Sequence, residues 1–181
     1  DETRAFIRAQ AEPYADSIRT DAMGNLIVFK KGRKATGDRL LLSAHMDEVG
    51  LMITRVEDDG TLRFDSVGGI DRRVLMGKRV YVGSHRIPAV IGSKPIHLTT
   101  KEERRSVPKM TELYLDMGAE NREAAEKLVE LGDVAVFDPE CVEFGSGLLK
   151  AKAIDDRVGC AVMLELLKEE LPMDCTFAFS T

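Results

Sequence analysis

The sequence has 181 residues, of which 44% are hydrophobic and 31% are charged, and its net charge at neutral pH is −5. This composition is typical of a globular domain and excludes a disordered chain. The acidic balance argues against nucleic acid or an anionic membrane as the partner, and the longest apolar runs are far shorter than the roughly 20 residues of a membrane helix.

At the start of the chain, residues 1–20 are predicted to form a helix, and a turn at Gly24 leads into a short strand. These first residues are charged and do not resemble a signal peptide. Residues 39–45 (RLLLSAH) then form a nearly continuous apolar run of strand length. Such a run predicts a strand that is buried on both faces of a sheet.

The middle of the chain is predicted to be rich in β-structure. Residues 50–69 suit two strands around a turn at Asp59–Gly60. From about Gly68 to Gly147, short alternating segments predict a small twisted β-domain. One short helix is expected within it, with Asn121 as its N-cap and Gly132 at its end.

The α/β pattern returns after the β-rich segment. Residues 148–154 are predicted to form a strand, which is followed by the pair Asp155-Asp156 and by a helix with apolar residues at helical spacing. A last buried strand begins near Asp174, and we expect the sheet to expose an edge after Phe177–Phe179. The simplest organisation is one α/β domain, residues 1–65 and 148–181, interrupted by a β-rich insert at 66–147.

Three cysteines, Cys141, Cys160 and Cys175, are widely spaced and odd in number. This arrangement predicts free thiols in a reducing cytoplasm rather than disulfides or a zinc knuckle.

Two short motifs carry ionisable groups where a strand is predicted to end. In the first, His45 and Asp47 share one side of an extended chain, so the imidazole suits a zinc or cobalt ligand that the carboxylate orients. The H-x-D spacing alone is a weak pattern and favours a core histidine with exposed carboxylates, and Glu48 is expected to face the other way.

In the second motif, Asp155-Asp156 precedes a helix at the edge where open α/β sheets bind ligands, and one carboxylate can bridge two divalent ions. Helix capping is an equally good explanation of the pair. The other histidines, His85 and His97, lie in turn-like or loop-like settings and are expected to be solvated or structural.

Three separated motifs together resemble one family. They are SAHMDEVGLMI, an insert that opens with SVGGIDRRVLMGKRVYV and contains PAVIGSKPIHL, and KAIDDRVGCAVMLE. Their order is similar to that of the dinuclear metal aminopeptidases of the glutamyl aminopeptidase type, which include the tetrahedral (TET) aminopeptidases. Some members of this family have been labelled endoglucanases.

The resemblance implies an α/β fold in which a metallopeptidase (phosphorylase/hydrolase-like) sheet with helices is interrupted by a PDZ-like β-barrel used in assembly. It implies a cytoplasmic aminopeptidase that removes N-terminal residues from peptides, with a water bridging two divalent metals, zinc or cobalt. It further implies a homo-oligomer such as a dodecamer.

By motif, the resemblance makes His45 and Asp155 metal ligands, with Asp155 bridging both ions, and gives Asp47 the role of orienting His45. It also implies a cis peptide bond between Asp155 and Asp156. The family's next element, a strand followed by a Glu-Glu pair, has no counterpart before the sequence ends at Thr181. We therefore expect a chain that is truncated at both ends and that, alone, is inactive and binds metal poorly.

Two other functions compete with this interpretation. An endoglucanase-like carbohydrate hydrolase needs two positioned acids and usually aromatic sugar platforms, whereas this sequence has no Trp and only 6% aromatic residues. The second alternative is a non-catalytic assembly or binding fragment dominated by the β-rich insert.

Overall fold

The computed structural model describes residues 2–34 and 37–181. Its α-helices are α1 (Glu2–Ala11), α2 (Arg122–Glu126) and α3 (Ile154–Lys168). The strands, in chain order, are β1 (Ser17–Thr20), β2 (Leu26–Lys30), β3 (Arg39–His45), β4 (Gly50–Val56), β5 (Leu62–Val67), β6 (Arg79–Val82), β7 (Ile87–Gly92), β8 (Tyr114–Asp116), β9 (Val134–Phe137), β10 (Val142–Phe144), β11 (Leu148–Lys150) and β12 (Asp174–Ser180).

The chain divides into two compact units. The α/β unit consists of the residues up to Glu48 together with Ala153–Thr181, and the barrel unit is Val49–Lys152. The mixed α/β architecture agrees with the sequence analysis. The first boundary lies at Val49 rather than at 66, because β4 and β5 form part of the barrel.

In the described part of the α/β unit, the sheet has the strand order β1-β2-β12-β3. The last strand, β12, runs antiparallel to β2 and parallel to β3, so it is central and its Phe177 and Phe179 are fully buried. The sheet edge that we expected after Phe177–Phe179 is therefore not formed by β12. The edge belongs instead to β3, whose Leu41 is 66% exposed although its sequence predicts burial on both faces.

Both helices of the α/β unit pack on the same face of its sheet. Ile7 of α1 and Met163 of α3 belong to one buried cluster with Val28, Phe177 and Phe179. Because side chains alternate along a strand, the neighbours of these sheet residues point to the opposite face. This cluster therefore covers one face of the sheet.

The first helix is shorter than predicted. It ends at Ala11, and the next turn contains Pro13, which has no backbone N–H to continue the helix. The chain then extends into β1, which pairs with β2, so the predicted helix over 1–20 is wrong in its second half. Position 1 lies outside the described residues.

The barrel unit closes on itself in the order β4-β5-β8-β7-β6-β9. The pairing of β4 with β9 joins Leu51 to Ala135, and both residues are buried with Leu62, Ile91 and Leu115 in one core. The turn predicted at Asp59–Gly60 connects β4 to β5 as expected. The barrel therefore has a core of its own.

Smaller features of the sequence analysis have mixed outcomes. The Asn121 side chain accepts a hydrogen bond from the backbone N–H of Ala124, which confirms the predicted N-cap of α2. The strand predicted over 148–154 is confined to β11, which pairs with β10 as an exposed hairpin.

Cys160 and Cys175 are buried free thiols, and Cys141 is an exposed one. No helix among the described residues is long and apolar enough to span a bilayer.

Candidate metal centre

The candidate site lies at the carboxyl end of the parallel strand pair β3 and β12. His45 ends β3 and is paired with Ser180 at the end of β12. In open α/β sheets, ligands bind at this edge because the strand ends leave backbone and side-chain groups free to face a ligand. The sequence places its first ionisable motif there, directly after the apolar run of β3.

The His45 imidazole lies between two carboxylates. Its Nδ1 atom is 3.1 Å from Asp47 Oδ1, and its Nε2 atom is 3.2 Å from Asp155 Oδ1. The Nδ1 atom is buried and makes no well-aligned hydrogen bond with a described residue, so its contact with Asp47 is a close charge contact. The structure thus brings together the three residues singled out in the sequence, although 110 positions separate His45 from Asp155.

The electrostatic setting of His45 favours a positive charge. Burial lowers the pKa of the imidazole, but the charge of Asp47 and the hydrogen bond with Asp155 raise it, and the net shift is upward. The cause is the pair of flanking carboxylates, and their negative charge would also favour a cation bound beside the ring.

The two aspartates of the second motif take different positions. Asp156 Oδ1 accepts a hydrogen bond from the Gly159 backbone N–H, as a helix-capping carboxylate does. The Asp155 side chain is 97% exposed and contacts the His45 ring through Oδ1. The peptide bond between them is cis, as predicted. The capping alternative is thus confirmed for Asp156, whereas the Asp155 carboxylate lies beside His45.

The spacing of His45 Nε2 and Asp155 Oδ1 fits two ligands of one divalent metal ion. Two ligands about 2.1 Å from one tetrahedral ion lie about 3.4 Å apart, and His45 Nε2 and Asp155 Oδ1 are 3.2 Å apart. An imidazole nitrogen and a carboxylate oxygen also suit zinc or cobalt. However, residues 2–34 and 37–181 contain no group of three or more His, Cys, Asp or Glu side chains placed to hold one metal ion. The chain therefore fits part of a metal site.

Sequence reasoning missed one residue beside the site. Arg157 donates from Nε to the Met46 carbonyl oxygen at 2.9 Å, and its terminal nitrogen lies 3.6 Å from Glu48 Oε1. The sequence feature that could have pointed to Arg157 is its position directly after the Asp155-Asp156 pair.

The remaining histidines, His85 and His97, are exposed in the barrel unit, in keeping with the expectation that they are solvated or structural.

Comparisons with known proteins agree with the motifs. Residues 24–181 match the profile of peptidase family M42, glutamyl aminopeptidase. The structure is similar to an aminopeptidase from the archaeon Desulfurococcus kamchatkensis, with 36% identity, a TM-score of 0.88, and coverage of 99% of this chain and 50% of that one. It is also similar to a Thermotoga maritima protein named endoglucanase, with 36% identity, a TM-score of 0.81, and coverage of 99% and 53%.

A third similar structure is the Pyrococcus horikoshii TET1 peptidase, which can assemble into a tetrahedron or a large octahedral shell. Its identity is 38%, its TM-score is 0.80, and the match covers 97% of this chain and 54% of that one. The chain spans about half the length of the curated relatives it matches. Because the family profile matches most of the sequence, the chain belongs to the M42 glutamyl aminopeptidase family.

Proposed function

We propose that the whole protein is a metal-dependent aminopeptidase that hydrolyses N-terminal residues from peptides. The observation that carries this proposal is the 3.2 Å approach of His45 Nε2 to Asp155 Oδ1 at the end of β3. Both residues belong to motifs that resemble the family, and the residues matched to the family include both positions. We expect activity to depend on both side chains.

In this proposal, the His45 Nε2 lone pair and the Asp155 carboxylate would hold divalent metal, zinc or cobalt. The metal would supply Lewis-acid chemistry, lowering the pKa of the attacking water and polarising the scissile carbonyl. Asp47 lies on the other ring nitrogen, 3.1 Å from Nδ1. There it favours the tautomer with a proton on Nδ1 and leaves Nε2 free to bind metal.

The described residues supply two inferred ligands, fewer than the three protein ligands of a usual catalytic zinc. Asp47 is engaged with His45, so it is a poor candidate for the general base. We therefore propose that residues 1–181 alone are inactive and bind metal weakly, and that the activity belongs to a longer protein.

The barrel is proposed to be an assembly domain. Its six strands form a closed structure that is distinct from the strands carrying the site. We propose that it is PDZ-like and that the whole protein is a cytoplasmic homo-oligomer, such as a dodecamer. The self-assembly of the TET1 peptidase supports this proposal.

The name of the Thermotoga maritima structure makes an endoglucanase the second candidate. The absence of Trp from the sequence disfavours it, because carbohydrate sites usually stack sugars on aromatic rings. The other alternative is a non-catalytic assembly or binding fragment dominated by the barrel. It applies to the 181-residue chain only if joining this chain to part of a relative restores no activity.

The test compares aminoacyl anilides with cellulose as substrates, with and without a chelator. The enzyme should be a chimera in which this chain is joined to the unmatched part of the Desulfurococcus kamchatkensis aminopeptidase. We expect anilide hydrolysis that the chelator removes, that zinc or cobalt restores, and that His45→Ala abolishes. Cellulose hydrolysis, or unchanged anilide turnover in His45→Ala, would overturn the proposal.

A further inference from the structure

We propose that Arg157 is a positioning residue that fixes the His45–Asp47 segment against Asp155. Arg157 acts through the backbone of Met46, the residue between His45 and Asp47, to which its Nε donates a hydrogen bond. This inference rests on the proposed metal site and adds to it the group that sets the site's geometry.

The Met46 backbone is held from two sides. Its N–H donates to the Ser180 carbonyl oxygen at 2.7 Å, which ties it to the end of β12. Its own carbonyl oxygen accepts from Arg157 Nε at 2.9 Å, which ties it to the first turn of α3. The Met46 side chain is buried, so the segment cannot rotate without exposing it. His45 and Asp47 therefore flank a residue that β12 and α3 both hold.

The guanidinium also reaches the next carboxylate along the chain. Its terminal nitrogen lies 3.6 Å from Glu48 Oε1, and both side chains are largely shielded from solvent. Because the guanidinium is a rigid planar fork, one arginine can engage the Met46 carbonyl oxygen and the Glu48 carboxylate together. A lysine has one nitrogen at the end of a flexible stem and cannot hold both with the same geometry.

The same helix turn has two further close contacts with the end of β3. A Cβ atom on Gly159 would come within 2.9 Å of Ala44 Cβ, so glycine allows α3 to approach the strand closely. The Cys160 thiol lies 3.4 Å from the His45 carbonyl oxygen. Arg157 is thus the polar member of a tightly packed junction, and it lies only two positions after Asp155.

A partner that holds a ligand in place usually changes metal affinity by 10–100-fold when it is removed. Residues that position a ligand without touching the metal have this effect because a misaligned ligand must be reordered when the metal binds. We therefore expect Arg157→Ala to weaken cobalt binding at His45 about tenfold, with the fold retained.

The experiment is a Co²⁺ titration of residues 1–181 followed by NMR of the histidine rings. The three histidines make the assignment simple, and His85 and His97 serve as internal controls. Arg33→Ala is the matched variant, because Arg33 forms an exposed ion pair with Glu170 in the same unit. We expect the His45 response to need about tenfold more cobalt in Arg157→Ala and to be unchanged in Arg33→Ala.

A second measurement requires no metal. Relaxation of the His45 ring in the metal-free chain should give a lower order parameter in Arg157→Ala, while the rings of His85 and His97 are unchanged. Arg157→Lys should lie between the wild type and Arg157→Ala in both the cobalt response and the order parameter of the His45 ring. It replaces Arg157→Ala if that variant fails to fold.

The outcomes separate the two proposals. If His45 in the wild type does not respond to cobalt, residues 1–181 alone do not hold the metal, the chimera assay decides the metal-site proposal, and the metal-free relaxation decides the role of Arg157. If the mobility of the His45 ring is the same in wild type, Arg157→Ala and Arg157→Lys, the positioning role is overturned. An equal cobalt response in all three proteins overturns it as well.

Discussion

The barrel unit and the α/β unit differ in how their strands are partnered. Every strand of the barrel has a neighbour on both sides, and its core includes Leu51, Leu62 and Leu115, which are fully buried. In the described part of the α/β unit, the sheet is open and β3 is one of its edges, with Leu41 66% exposed.

The candidate site is in the α/β unit, whose sheet is open. Its candidate ligands come from the end of the edge strand β3 and from the start of α3. The fold of the barrel and the integrity of the site are therefore expected to respond to different substitutions. A loss of one should leave the other in place.

The largest expected effects come from core truncations, one in each unit. Leu115→Ala in the barrel and Phe177→Ala in β12 each remove a side chain with no solvent exposure. We expect each to cost about 2–5 kcal/mol of the free energy of unfolding, since the transfer energy is lost and a cavity remains. Amide hydrogen exchange, read residue by residue, should show the loss only in the unit that carries the substitution.

Leu131→Ala is the control, because Leu131 is 67% exposed and its truncation should change stability by less than about 0.5 kcal/mol. Equal loss of protection in both units after either core truncation would contradict their independence.

A smaller effect is expected at Glu57, whose carboxylate is 2.7 Å from Arg63 and 2.6 Å from Arg55. The hydrogen bonds from Arg63 and then Arg55 lower the pKa of Glu57, and its side chain is only 23% exposed. Glu57→Gln should therefore destabilise the barrel by about 1 kcal/mol at neutral pH.

The pH dependence follows from the direction of this shift. A carboxylate with a lowered folded pKa stabilises the protein above its ordinary pKa of 4.5, and this stabilisation is lost as the pH falls through the lower folded value. Denaturant unfolding at several pH values should show the wild type and Glu57→Gln converging in acid. Glu123→Gln, in an exposed pair with Lys127, is the control. A difference that grew in acid would refute the account.

The smallest effect on stability is expected at the open edge of the α/β unit. Leu41→Lys should change the free energy of unfolding by less than about 0.5 kcal/mol while reducing self-association, because a lysine on an edge strand discourages strand pairing. Leu131 has nearly the same exposure and lies in the barrel unit, so Leu131→Lys is the matched control. Light scattering at rising concentration is the measurement. If the Leu41→Lys variant failed to fold, Leu41 would have to be buried, which would contradict its place on an open sheet edge.

The site was largely predictable from the sequence because its chemistry is local. The spacing of His45 and Asp47 and the adjacency of Asp155 and Asp156 are visible in short motifs, and each lies where a strand ends or a helix begins. The sequence does not reveal that Arg157 reaches the Met46 carbonyl oxygen, because that contact depends on how α3 packs against β3.

The unit boundary and the sheet order were harder to predict because they depend on long-range pairing. The strands β4 and β5 have the local pattern of any hairpin, and only the pairing of β4 with β9 assigns them to the barrel. In the same way, the apolar run of β3 predicts a central strand, but β12 takes the central place by pairing with both β2 and β3.

The central claim is that His45 and Asp155 are ligands in one metal site. The most direct measurement is anomalous diffraction from crystals of the chain soaked in millimolar cobalt. We predict an anomalous peak roughly 2.0–2.3 Å from both His45 Nε2 and Asp155 Oδ1, and its loss in Asp155→Asn. Cobalt bound only elsewhere, or a peak at His45 that is unchanged in Asp155→Asn, would contradict the account.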